Sequence, residues 1–220
     1  MRTLTAFLTD SLPAGAVGEA FPTPYGLSDP IAVLDSGLAV APITADPRAT
    51  IQALKDRGAA HLWLCESVGS LSSLLEPGDW LVPDDYIDGT RGLHYTFFSE
   101  KAGGYLQQVP AFDPESRAAL IHALAAETPR PFRRGIYACV SSTRLETPAE
   151  ALFWSRAGAH VVGRWLSPYL TLARERDLRV AVLVHIVRAG GETGAPLPFD
   201  RFLPVVRSAA AALQSFPEVS

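Results

Sequence analysis

Residues 66–88 read ESVGSLSSLLEPGDWLVPDDYID, and this stretch decides the fold. It continues the apolar run AAHLWLCESVG (59–69), whose Gly69 reads as the end of a buried strand. Pro77-Gly78-Asp79 is a turn, and after it a second apolar run ends in the carboxylates Asp84, Asp85 and Asp88. Pro83 cannot donate to a ladder, so this run is expected to be one strand at an edge or a bulge.

Upstream, TLTAFL (3–8) reads as a short strand, followed by a Pro- and Gly-rich loop over 11–30. IAVLDSGLAVAPI (31–43) reads as a hairpin turning at Asp35-Ser36-Gly37. Asp46 and Pro47 open a helix, with Pro47 at its first position and Gly58 as its stop. Downstream, residues 113–127 predict a helix capped by Asp113 with Pro114 in its first turn. A strand (133–142), a helix from Thr147 to Gly158, a strand (159–165) and a helix opened by Ser167-Pro168 follow. LRVAVLVHIV (178–187) is hydrophobic enough for the middle of a sheet, and residues 198–216 form the closing helix. The alternation predicts one α/β domain over residues 1–220, its mixed, mainly parallel sheet flanked by helices.

The chain has 220 residues, 48% of them hydrophobic, enough for one substantial core. Its net charge of −4 carries no basic block, so nucleic acid is not expected as a partner. No run of about 20 apolar residues exists to span a membrane, and residues 4–8 are too short for a secretory core. Cys65 and Cys139 sit in apolar strands and read as buried free thiols. His61, His94, His122, His160 and His185 are scattered, and no Cys/His spacing suits a metal.

Four segments in order carry a family resemblance: ESVGSL…PGD…DYID, TFF (96–98), GIYACVSSTRLETPAE (135–150) and AGAHVVGRWLSPYLTLARE (157–175). Together they resemble the purine nucleoside phosphorylase and methylthioadenosine phosphorylase family from about Ala49 to the C-terminus. The resemblance implies a central, partly barrel-like sheet flanked by helices. It implies cleavage of a nucleoside N-glycosidic bond, a nucleoside or base as small-molecule partner, a cytoplasmic homotrimer, and no cofactor beyond phosphate as co-substrate.

The same resemblance locates candidate site residues. Where the family holds phosphate with hydroxyl and Arg/His donors, this chain has Asp10 in TDSL, a shortened segment between Val40 and Ala49, Glu66 beside Ser67, Val68 and Gly69, and Trp165 after Arg164. A carboxylate about 4 Å from a dianion costs several kcal/mol at an effective dielectric near 20, so family-type phosphate binding is not expected. Glu146 matches a purine-reading carboxylate, though a first-turn acid favoured by the helix dipole reads equally well. Leu145 stands where an aromatic packs on the base, and Arg188 where the leaving base is met; Arg188 and Glu146 are expected to pair. His94 lies near the segment that reaches a neighbouring sugar pocket, or is a solvated loop residue, and Tyr169 is read as packing. Three functions stay open: a nucleosidase with Asp10 or Glu66 as the water's base, a phosphorylase with an anion site rebuilt from Arg144, Arg164 or Arg188, and a non-catalytic nucleoside-binding or partner-subunit paralogue.

Overall fold

The computed structural model describes residues 4–10, 12–35, 37–44, 46–94, 96–98, 105–141 and 144–214. In chain order the elements are β1 (Leu4–Thr9), β2 (Pro22–Thr23), β3 (Gly26–Leu27), β4 (Ala32–Asp35), β5 (Leu38–Pro42), α1 (Arg48–Asp56), β6 (Ala59–Ser70), β7 (Trp80–Leu81) and β8 (Asp85–Asp88). They continue with α2 (Pro114–Glu127), β9 (Pro131–Phe132), β10 (Ile136–Cys139), α3 (Pro148–Arg156), β11 (Val161–Gly163), α4 (Leu166–Glu175), β12 (Arg179–Ala189), a 3₁₀ turn (Phe199–Arg201) and α5 (Leu203–Gln214).

Ten of these strands join one mixed sheet, and β2 and β3 form a separate hairpin. Strand β6 organises the sheet. It pairs in parallel with β1 along its first half and with β12 along its other edge, and its last residues take β11 antiparallel. The sheet therefore branches at the end of β6, where β1 gives way to the β11–β10–β8 arm. Alternation along β6 sends Leu62, Leu64 and Val68 to one core with Tyr137, Leu170 and Val182. Trp63 and Cys65 go to the other core, with Leu120, Leu183, Phe202 and Val206.

The predicted helices form, with shifted starts: α4 begins at Leu166 instead of at Ser167-Pro168, and the closing helix begins at Leu203 after the separate 3₁₀ turn. Asp113 accepts the Ser116 N–H at 2.8 Å and Pro114 opens α2, as the sequence predicts. Thr147 and Glu150 form a reciprocal capping box at the start of α3. Pro47 stands at the N-cap of α1, not at its first helical position, and Asp46 accepts the Arg48 N–H at 3.2 Å. Gly58 stops that helix at a φ of +87°, which a glycine adopts without strain.

Two strand expectations are corrected. Strand β6 runs on to Ser70, because the missing Cβ of Gly69 makes room for the Arg188 guanidinium rather than ending the strand. The run after the Pro-Gly-Asp turn is two strands, not one: β7 pairs with β12 and β9, β8 pairs with β10, and Pro83 lies between them. The hairpin of β4 and β5 turns with the Asp35 carboxylate accepting the Gly37 N–H at 3.2 Å; Ser36 lies outside the described residues. Both cysteines are buried free thiols.

Candidate active site

The carboxyl ends of β6, β11 and β12 carry two buried polar clusters that share no hydrogen-bonding residue among those described. The first centres on Glu66. The alternation of β6 turns it to the face of Leu64 and Val68, and it is only 2% exposed. One carboxylate oxygen accepts the Tyr137 hydroxyl; the other accepts the Arg164 backbone N–H at 2.8 Å. The Trp165 backbone N–H reaches the same hydroxyl at 3.4 Å. Burial pushes the Glu66 carboxyl up to about 7; the Tyr137 and Arg164 hydrogen bonds oppose that, and the nearby charge of Asp10 adds to it. The arrangement requires glycine at 163, because a Cβ there would come within 2.1 Å of the Tyr137 hydroxyl.

Asp10, just past β1, opens to solvent beside this cluster. Burial of its inner side raises its carboxyl, while the Arg164 charge and the Trp165 indole lower it. The indole Nε1 is itself buried and short of hydrogen-bond geometry with any acceptor. The Arg164 guanidinium lies 5.3 Å from the Trp165 ring, a cation–π distance.

The second cluster is the pairing expected from the sequence. Arg188 grips Glu146 with both terminal guanidinium nitrogens, Nη2 at 3.1 Å, and the Gly191 N–H adds a bond to the same carboxylate at 3.0 Å. A register shift between Ile186 and Arg188 sets the arginine opposite Gly69, and its guanidinium lies against that glycine. Burial raises the Glu146 carboxyl, but the bonds from Arg188 and Gly191 more than offset it and hold it below the ordinary range.

The remaining expected site residues divide. Val68 and Gly69 lie in the strand end between the clusters, Val68 fully buried. Ser67 turns to the opposite face of β6 from Glu66, where its hydroxyl accepts the Leu197 N–H at 2.7 Å. Leu145 is half-buried beside Glu146, and His94 is exposed. Arg144 pairs with Glu150 at 2.8 Å. Tyr169 packs as expected and also hydrogen-bonds Thr44, accepting its N–H at 2.6 Å and donating to its carbonyl at 3.1 Å. Ser142 and Thr143 of the STRLETP loop lie outside the described residues. Tyr137, which completes the Glu66 cluster, reads in the sequence only as a strand residue. Its signal is a hydroxyl on a face whose other members are apolar.

Among the described residues no group of three or more His, Cys, Asp or Glu is arranged to hold a metal ion. A cleft of about 250 Å³ lies at the other end of β12, lined by residues including Phe112, Asp113, Arg174, Asp177 and Arg179. None of the candidate site residues borders it.

The family model described as "Phosphorylase superfamily" matches residues 3–217. The chain belongs to this superfamily. Relatives include the S-methyl-5'-thioadenosine phosphorylase of Thermofilum pendens, 34% identical over 62% of this chain and 52% of that protein. The probable S-methyl-5'-thioinosine phosphorylase of Pseudomonas syringae is 38% identical over 67% of this chain and 61% of that protein. The chain thus aligns with about half to three-fifths of these relatives' length. The methylthioadenosine phosphorylase of Schistosoma mansoni in complex with tubercidin superimposes with a TM-score of 0.83 at 21% identity, covering 98% of this chain and 93% of the other. That likeness shows the fold. The nucleoside phosphorylase resemblance read from residues 66–88 and the three later segments is borne out, and so is the α/β fold with its helix-flanked mixed sheet.

Proposed function

We propose that this superfamily member is a divergent purine nucleoside or methylthioadenosine phosphorylase-like protein that cleaves an N-glycosidic bond with water instead of phosphate. The observation that carries the reading is the closed Glu66 cluster. A buried carboxylate takes up the Tyr137 and Arg164 donors, so none of them faces an incoming dianion. Glu66 is 2% exposed, with one donor on each oxygen, so it does not face a water at an anomeric carbon. Asp10 is the carboxylate with an open side, and its raised pKa suits a general base. In this reading Arg188, fixed by Glu146, stabilises charge on the departing base. The names of the relatives support a methylthioadenosine- or methylthioinosine-like substrate.

The test incubates the protein with methylthioadenosine, methylthioinosine, adenosine and inosine, with and without inorganic phosphate, and measures free base by chromatography. Base release at the same rate in both arms is the expected result. Release only with phosphate overturns the water reading and restores the phosphorylase.

A second reading, a nucleoside- or nucleobase-binding paralogue without turnover, is favoured by one observation: the bidentate Arg188–Glu146 pair is buried and already satisfied. No base release, together with a rise in melting temperature on adding adenine, would establish it. Self-association, by family expectation a homotrimer, is supported by α3, which has no buried residue and exposes Leu152 and Phe153. Light scattering is expected to give a multimer, and a monomeric mass at micromolar concentration removes that element. The buried free thiols fit a reducing, cytoplasmic setting.

A further inference from the structure

Helix α4 carries candidate site residues at its head and a separate polar cluster at its tail. Trp165 stands at the N-cap, and the Ser167 hydroxyl donates to Asp88 at 2.8 Å. At the tail, the Glu175 carboxylate accepts the Thr96 hydroxyl and the Phe97 N–H, both at 2.6 Å. The next residue, Arg176, lays its guanidinium 3.8 Å from the centre of the Phe97 ring. The same guanidinium donates through Nη2 to the Tyr25 hydroxyl at 2.8 Å, and through Nε to Gln52 of α1 at 2.7 Å. Tyr25 lies in the turn between β2 and β3, and its ring is 4.8 Å from that of Phe97. One arginine thus touches two loops far apart in the sequence. The first leaves β1 just before Asp10, and the second leaves β8 after Asp88.

We propose that Arg176 buckles the β2–β3 hairpin and the Thr96–Phe98 segment into one cooperative unit, so that loosening either loop loosens the other. The case rests on how each loop is held. The base of the first loop is fixed independently, because the Asp29 carboxylate accepts the Thr44 and Thr50 hydroxyls at 2.8 and 2.7 Å. Its tip is a ladder of two residues a side, too short to hold itself. Tyr25 ties that tip to Arg176 and, at 6.0 Å, to the Arg48 guanidinium. Thr96–Phe98 belongs to no strand or helix and is fastened through Glu175 and Arg176. Withdrawing Phe97 uncovers both the guanidinium and the Tyr25 ring, and withdrawing Tyr25 uncovers both the guanidinium and Phe97. Such coupling is reciprocal, so a contact made on the loop after Asp10 is transmitted to the loop after Asp88. It does not depend on whether water or phosphate attacks the nucleoside.

The test reads hydrogen exchange of single amides by NMR in the wild type, Arg176→Met, Tyr25→Phe and Phe97→Leu. The reporters are the Tyr25 and Ser28 amides on one loop, which donate to Thr23 and Phe21, and the Phe97 and Phe98 amides on the other, which donate to Glu175 and Thr96. Arg176→Met keeps the alkyl stem and removes the buckle. It is expected to quicken both sets together, about tenfold or more, while the β6 and β12 amides keep their protection. Phe97→Leu should quicken the Tyr25 and Ser28 amides about fivefold, and Tyr25→Phe should quicken those of Phe97 and Phe98 by a similar factor. If Arg176→Met fails to fold, the two milder variants decide the matter. Quickening confined to the loop that carries the substitution overturns the proposal, as does no quickening at all. Equal quickening in loops and sheet also overturns it, because Arg176 would then serve global stability alone.

Discussion

Arg188 and Glu146 illustrate what single residues settle. An arginine at the end of a hydrophobic strand is unusual enough to be noticed in the sequence, and only a nearby acid makes it tolerable. Glu146 is that acid, and the structure pairs them across 42 residues of chain. Removing one partner leaves a buried charge without compensation, so Glu146→Ala should destabilise the protein by about 3–5 kcal/mol. Replacing both, as Glu146→Leu with Arg188→Met, should cost clearly less, because no orphan charge remains. Urea unfolding of the single and double variants measures the difference; equal losses would show that the pair acts through packing alone. The inward turn of Glu66 is also legible, since positions 62, 64, 66 and 68 share a face under strand alternation. Its partner Tyr137 is not, because a contact between residues 71 apart leaves no local pattern. Ser67 misleads for the converse reason. It adjoins Glu66 in sequence, yet alternation sends its hydroxyl to Leu197 on the far side.

The elements most legible in the sequence are those fixed by local chemistry. The Asp113-Pro114 and Thr147-Pro148 starts of α2 and α3 need only residues within one turn, and both form as read. The strands are harder. Whether β6 stops at Gly69 or continues depends on Arg188 of another strand, and the break between β7 and β8 depends on which neighbours each finds. Helix α3 is the informative case. It buries no residue, so its stability leans on its capping box and on the exposed Arg144–Glu150 pair more than on a core. Thr147→Ala should therefore cost about 1 kcal/mol and show it locally. Hydrogen exchange of the α3 amides is expected to quicken about fivefold while the β6 and β12 amides keep their protection. A uniform change across both would mean that α3 is coupled to the sheet more tightly than its burial indicates. The α3 N-terminus follows directly on Glu146, so the same substitution also reports how far fraying of α3 loosens the Arg188 clasp.

At the scale of the whole molecule, two groups buried on different parts of β6 give stability opposite dependences on pH. His61 near the start of the strand is 5% exposed, with its Nδ1 2.9 Å from the Ser116 hydroxyl. Burial lowers its pKa, Asp113 and Glu115 oppose that, and Arg179 adds to it. The folded state therefore binds fewer protons at His61 than the unfolded chain does as pH falls below about 6.5, and stability is lost on that side. Glu66 near the end of the strand behaves in reverse. Its folded pKa of about 7 stands above the ordinary 4.5, raised by burial and by the charge of Asp10 against the hydrogen bonds from Tyr137 and Arg164 and the Arg164 charge. Its favourable contribution is complete below about 4.5 and is lost as pH rises through 7, at most about 3 kcal/mol. The slopes oppose each other just below pH 6.5, where the loss at His61 with falling pH runs against the gain at Glu66. Glu66→Gln removes the falling component while keeping the shape of the cluster. That variant should match the wild type near pH 5 and gain on it steadily to pH 8. His61→Asn should do the opposite, losing the acid-side decline and keeping the alkaline one. Melting temperature against pH for the three proteins gives the answer. A Glu66→Gln variant whose curve runs parallel to wild type from pH 5 to 8 would show that Glu66 titrates in its ordinary range despite its burial.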